Sequence, residues 1–291
     1  MAKKSFNKGT IEKYRSTLSK CITNKETFTT YSSGMSRRII LPTGVNMKFF
    51  GSEKANSRIS GAFMVQMVQR EVDAYIEKNG VPSYNVVSDV QLFNLPKIKK
   101  VIEGKKKPIV GIDINACYWN TAHKLGYISD ALFERGIDTC KKEGLLIAIG
   151  CLNKKPVLKQ YRDGKLVGYT FDDAVHSRYA PFYWNVIEHT HKIMMESYER
   201  FKEHWYMYLT DCLFVDSIAA KDAQKFISDK GYKCKSHAIE FMNFDGKRLR
   251  WFDFKDNREK EIHAQGRDID LTYTLTRIGK GMHDTPPSRT N

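Results

Sequence analysis

Eleven consecutive residues, Trp205-Tyr206-Met207-Tyr208-Leu209-Thr210-Asp211-Cys212-Leu213-Phe214-Val215, form an apolar run interrupted by a single acid. The run reads as two strands turning near Asp211. A second run, Ile109-Val110-Gly111-Ile112, reads as a buried strand over 109–114 and closes on Asp113. A carboxylate beside buried strand residues is costly unless something positive compensates it, and a divalent cation does so well. Two such carboxylates brought together across a sheet can clamp two ions about 4 Å apart, an arrangement that serves phosphoryl transfer. The plainer alternative is a pair of strand-end aspartates facing water.

Around these strands the pattern alternates between helix and strand. Residues 59–78 carry Phe63, Met64, Met67, Val68, Val72, Tyr75 and Ile76 at spacings of three and four, the mark of an amphipathic helix. Helices are expected at about 116–125, 141–150, 180–203 and 219–230, with a short polar connection between the first two. Lys154–Tyr161 and Lys165–Phe171 flank a turn at Arg162-Asp163-Gly164 and read as a hairpin. Residues 38–50, broken by Pro42-Thr43-Gly44, are strand-like, as are 233–243 and the return strand Lys247–Lys255 after Asp245-Gly246. The expected organisation is a basic N-terminal α+β region over 1–107, a catalytic domain over 108–270 and a tail over 271–291.

The formal net charge is +15 over 291 residues. Lysines and arginines that neutralise phosphates release condensed counterions, so this excess favours a polyanionic partner. Six cysteines lack any CxxC pair or zinc-ligand spacing, which suits a reducing compartment. With neither an apolar leader nor a membrane-length apolar run, the expected setting is intracellular, cytoplasmic and away from membranes.

Asp113-Ile114-Asn115-Ala116-Cys117-Tyr118 resembles motif A of the family B DNA polymerases, Asp-x-x-Ser-Leu-Tyr-Pro-Ser, with Ala116 for Ser and Trp119 for Pro. Residues 142–150, KEGLLIAIG, resemble motif B, Lys-x-x-x-Asn-Ser-x-Tyr-Gly. Lys142 and Gly150 stand at the right spacing, and Leu146, Ile147 and Ile149 replace Asn, Ser and Tyr. Tyr208–Val215 resembles motif C, whose heart is Asp-Thr-Asp-Ser: Leu209 takes the first Asp position, while Thr210 and Asp211 match. Arg248-Leu249-Arg250-Trp251 is similar to the basic-aromatic element that follows in the family. Four such segments occur in family order across residues 108–270.

The resemblance implies an α+β polymerase-type palm, with a mostly antiparallel sheet, helices on one face, short fingers and a small N-terminal α+β region. It implies a nucleotidyltransferase that extends a DNA primer on a template with deoxynucleoside triphosphates, using two Mg²⁺ or Mn²⁺ ions. Asp113, Asp211 and the carbonyl of Ile114 would hold the ions. Backbone N–H groups of Asn115, Ala116, Cys117 and Tyr118 would face the triphosphate, Tyr118 would stack under the sugar, and Lys142 would neutralise phosphate charge. Arg248 and Arg250, two apart on a strand, would grip the primer backbone.

Departures from the pattern are informative. Only 29 residues separate Asp113 from Lys142 (142 − 113), so the fingers are expected to be a stub. The first 112 residues hold no Asp-x-Glu, and about three dozen residues follow Lys255, too few for a full thumb. Weak template grip, low processivity or dependence on a replication partner would follow. Three other readings stand beside the polymerase. These are an RNase H-like nuclease, a primase of the archaeal-eukaryotic type, and a non-catalytic nucleic-acid-binding or structural protein on a degenerate palm. His189 and His191, two apart on a helix, make a poor metal pair. Asp172-Asp173 reads as a cap or a turn, and Asp216 as facing away from Asp211.

Overall fold

The computed structural model describes residues 5–50, 60–87, 89–104 and 108–269. The basic run at 105–107 and the tail at 271–291 lie outside the described residues. In chain order the first elements are β1 (Ser5–Gly9), α1 (Ile11–Thr23), β2 (Phe28–Ser33), β3 (Ser36–Ile40), β4 (Asn46–Phe50), α2 (Ser60–Asn79), β5 (Gln91–Phe93) and α3 (Leu95–Glu103). Then come β6 (Ile109–Ile114), α4 (Cys117–Lys124), α5 (Asp130–Thr139), α6 (Lys142–Gly150), β7 (Val157–Arg162), β8 (Lys165–Phe171) and α7 (Asp173–Arg200). The last are β9 (Trp205–Leu209), β10 (Cys212–Asp216), α8 (Ala220–Asp229), β11 (Cys234–Phe244), β12 (Arg248–Asp253) and β13 (Arg258–His263). The protein is α+β, with two largely antiparallel sheets.

These elements gather into two compact units. One comprises Met1–Val86 with Tyr118–Glu188, the other Val87–Cys117 with His189–Asn291. The regions expected over 1–107 and 108–270 therefore each contribute to both units, and α7 runs from one into the other.

The first unit holds the sheet β1-β4-β3-β2-β7-β8, in which β1–β4 is the parallel pair. Gly44, at φ +82°, turns β3 into β4, as the Pro-Thr-Gly break predicts. Helix α1 begins at Thr10, whose hydroxyl accepts the Lys13 N–H at 3.3 Å. Its Cys21 packs with Phe28, Ile39 and Phe49, and Tyr161 stacks on Phe28 with centroids 4.5 Å apart. Of the apolar stripe of α2, Met64, Val68 and Val72 are buried and Phe63, Met67, Tyr75 and Ile76 partly so; Val65, outside the stripe, is also buried, and α6 packs on this helix.

Two expectations need correction in this unit. The connection between α4 and α6 is itself a helix, α5. Ser129 caps it by accepting the Leu132 N–H at 3.2 Å, and donates its hydroxyl to Glu71 at 2.7 Å. The long helix starts at Asp173 rather than near Ala180, because the Asp172 carboxylate accepts the Val175 N–H at 3.0 Å and so caps it. Pro181 falls inside the helix.

The second unit holds a seven-stranded antiparallel sheet in the order β13-β12-β11-β6-β10-β9-β5. Strand β6 is interior, between β10 and β11. On one face Ile109, Met207, Phe214, Ile239, Phe241 and Trp251 form a core with Ile98 and Val101 of α3. Helix α3 is a second element absent from the expected pattern. Asn94 caps it, accepting the Lys97 N–H at 3.1 Å, and Pro96 stands in its first turn. A register shift beside Phe214 leaves Tyr206 as an extra residue of β9, on the same face as Met207. The opposite face carries Trp205 and Tyr208. Tyr198 of α7 meets Trp205 edge-on at 5.1 Å, and His191 bonds the Tyr208 hydroxyl. Helices thus pack on both faces of this sheet rather than one, because apolar residues on both faces of its inner strands must be covered.

Candidate functional site

Asp113 is the penultimate residue of β6, and its Cα partner on β10 is Cys212. Asp211 precedes Cys212 in the two-residue turn between β9 and β10. Thr210 takes a left-handed conformation there, φ +57°, at a cost of about 1–2 kcal/mol for a non-glycine residue. The Asp211 carbonyl accepts the Ile114 N–H at 3.1 Å, and the Lys233 carbonyl accepts the Asn115 N–H at 2.8 Å. The end of β6 is therefore pinned on both sides just past Asp113. Ala116 then turns left-handed, φ +44°, and sends the chain into α4. Cys117 is buried, its thiol 3.5 Å from the Thr190 hydroxyl.

The carboxylates meet cations that the spacing of the sequence did not reveal. Lys255 places its ammonium 3.6 Å from Asp113 Oδ2. Lys235, exposed on β11, is the Cα partner of Asp113 on the other side. Only the register of β11 against β6 discloses Lys235. Lys255 is placed by the turn after β12, where its N–H donates to Asp253 Oδ1 at 2.9 Å. The Cys212 thiol is held well above its ordinary range, first by burial and then by the negative charge of Asp113 and Asp211.

Behind this edge lies a buried polar group. The Asp253 side chain is 2% exposed and takes the Lys260 ammonium at 2.6 Å and His237 Nε2 at 3.5 Å. His237 fits because its partner on β6 is Gly111: a Cβ at Gly111 would lie 2.6 Å from His237 Cε1 and 2.9 Å from the Phe214 ring. Burial lowers the His237 pKa, against the pull of Asp253.

Asp113, Ile114, Asn115, Ala116, Cys117 and Asp211 thus share one end of the second unit's sheet. Arg248 and Arg250 do not join them. Arg250 pairs with Asn243, eight positions along β11 from Lys235, the partner of Asp113, which is roughly 26 Å along a strand. Both guanidinium groups bind Glu261, at 2.8 and 2.7 Å. Asp216 is buried at the far end of β10, bonded by the Tyr206 hydroxyl at 2.6 Å and by His204 Nδ1 at 3.2 Å. In the first unit, Tyr118 is partly buried in α4 and Lys142 is exposed as the first residue of α6. Trp119, the stand-in for the motif A proline, is a core residue: its indole donates to the Phe133 carbonyl at 3.2 Å and packs over Gly136.

The chain matches no protein-family model, and no curated protein matches it in sequence. Among the described residues no group of three or more His, Cys, Asp or Glu side chains is arranged to hold a metal ion. The donors that the resemblance names, the Asp113 and Asp211 carboxylates and the Ile114 carbonyl, are all hard oxygens, the kind that Mg²⁺ takes, and Mg²⁺ binds through one or two carboxylates together with waters and substrate phosphates. Among the described residues, no helix is long and apolar enough to cross a membrane.

Proposed function

We propose that the second unit is the palm of a nucleotidyltransferase that extends a primer 3′-OH with deoxynucleoside triphosphates. The observation that carries this reading is the juxtaposition of Asp113, near the end of β6, with Asp211 in the β9–β10 turn, locked by the bond from Ile114 N–H to the Asp211 carbonyl. The sequence resemblance to family B polymerases, with motif A on β6 and motif C on the β9–β10 turn, supports it. Divalent ions held by Asp113, Asp211 and the Ile114 carbonyl would acidify the 3′-OH and neutralise the departing pyrophosphate.

The protein's own groups do the positioning. Antiparallel pairing fixes the Asp113 backbone against β10 on one side and β11 on the other, so little reorganisation is needed when the site fills. Lys255 balances Asp113, and it and Lys235 offer point charges for phosphate beside the carboxylates. The sugar and triphosphate roles of Tyr118 and Lys142, residues of the first unit, rest on the resemblance alone. Arg248 and Arg250 contribute to nucleic-acid binding only away from the carboxylates.

Primer extension with each deoxynucleotide and Mg²⁺ or Mn²⁺, with and without template, tests the proposal. Template-matched extension supports it. Untemplated tailing marks a terminal transferase, shortening of the substrate marks a nuclease, and binding without reaction marks a degenerate palm.

A further inference from the structure

Strand β8 is the edge of the first unit's sheet, and it leaves four large apolar side chains uncovered within seven residues. Leu166, Val167, Tyr169 and Phe171 are 50%, 57%, 61% and 50% exposed. Tyr169 and Phe171, two apart, share a face and meet edge to face with centroids 5.7 Å apart. Lys159 is the cross-strand partner of Tyr169. The Lys155 ammonium lies 5.0 Å over the Phe171 ring, and also reaches Asp173 at 2.5 Å. Across 154–173 the sequence has five cations (Lys154, Lys155, Lys159, Arg162, Lys165) and three carboxylates (Asp163, Asp172, Asp173), a local net charge of +2.

We infer that the β7–β8 hairpin is a binding surface for single-stranded nucleic acid, with bases stacking on Tyr169 and Phe171 and phosphates meeting Lys155 and Lys159. Exposed rings interleaved with lysines are what a sequence-tolerant single-strand site requires, since every base has a stacking face and every nucleotide a charge. A second copy of this chain is the poorer occupant. Two surfaces of net positive charge would repel on a symmetric axis, and the register shift at Gln160–Tyr161, with Lys165 opening β8, blunts the edge against strand addition. The inference does not rest on Asp113 and Asp211 binding metal.

The test is fluorescence anisotropy of the full chain with a labelled 20-nucleotide oligodeoxythymidylate, in EDTA so that no metal chemistry contributes. The joint Tyr169→Ala and Phe171→Ala variant should weaken binding at least about tenfold, while Tyr169→Phe stays within about twofold of wild type. Lys155→Ala with Lys159→Ala should lower the salt slope by about one to two. In the wild-type chain, photocrosslinks from a bromodeoxyuridine oligonucleotide should map to residues 165–171, a readout that needs no variant. The inference is overturned by affinity unchanged without both rings, or by crosslinks confined to other segments. A wild-type dimer that the ring variant dissociates without loss of oligonucleotide affinity would likewise overturn it. The test reads binding in EDTA and the catalytic proposal is read by primer extension, so the failure of one is distinguishable from the failure of the other.

Discussion

The Ile114 N–H donates to the Asp211 carbonyl at 3.1 Å, tying the residue after Asp113 to the turn that carries the second carboxylate. The bond is between main chains, so it survives changes to either acid side chain. That separation of frame from charge makes the site unusually open to mutational dissection.

Asp113→Asn and Asp211→Asn keep side-chain shape and remove the charge that would hold cations. Each should abolish primer extension by several orders of magnitude, the scale of a lost electrostatic contribution at a reacting centre. Circular dichroism and the urea midpoint should remain near wild type. A double variant that extends primers at the normal rate would refute the catalytic role.

Tyr118→Ala bears on sugar selection. If Tyr118 lies beside C2′ of the nucleotide, its removal should raise ribonucleotide incorporation relative to deoxynucleotide, with part of the deoxynucleotide activity surviving. Single-turnover rates for matched ribo- and deoxynucleotides decide this, and an unchanged ratio assigns Tyr118 to packing alone.

The lysines and arginines should separate cleanly. Lys235→Ala with Lys255→Ala should raise the apparent KM for nucleotide or primer at least about tenfold, because both flank Asp113. Arg248→Ala with Arg250→Ala should change KM by less than about threefold, since both arginines face Glu261 about 26 Å along the sheet. A larger loss from the arginine pair would return the primer to that end of the sheet.

Stability should fall with acid in two stages. Burial lowers the His237 pKa in the folded chain, so the unfolded chain binds the extra proton first. Stability is complete above about pH 6.5 and declines as pH drops through that value. Burial would raise the Asp253 pKa, but the Lys260 ammonium and the Asp256 N–H outweigh it and hold the carboxyl below its ordinary value. That contribution is present above about pH 4 and is lost as pH falls further. Urea unfolding between pH 8 and pH 3 should show both stages. His237→Gln should flatten the upper stage and Asp253→Asn the lower.

Strand β6 was legible to the residue, and so was the turn at Asp211, because each is an apolar run with a sharp polar end. The β7–β8 and β3–β4 hairpins were legible from their glycine turns. Less legible were α3 and α5, which run for only nine and ten residues, too short for a long apolar repeat, and whose starts depend on single side-chain caps at Asn94 and Ser129. The start of α7 was obscured by Pro181, a residue that ordinarily opens helices and here sits inside one. Strand β13 is polar apart from Ile262 and shows itself only through pairing with β12. Of the candidate site, the two aspartates were readable from local pattern. Lys235 and Lys255 were not, since the β11–β6 register brings the first to Asp113 and the turn after β12 the second, each across more than a hundred residues.

That same interior position of β6 sets the order in which the molecule can be made. Both neighbours of β6 come far later in the chain, β10 at Cys212 and β11 at Cys234. As the chain leaves the ribosome, an apolar strand ending in Asp113 must wait about a hundred residues for its first partner. Closing so long a loop is slow, and an unpaired apolar strand is prone to stray pairing in the interval. Chains halted near residue 200 should therefore accumulate as aggregates or chaperone-bound species. Chains released after β12 can complete the sheet around β6, and the two carboxylates come together among the last events of folding.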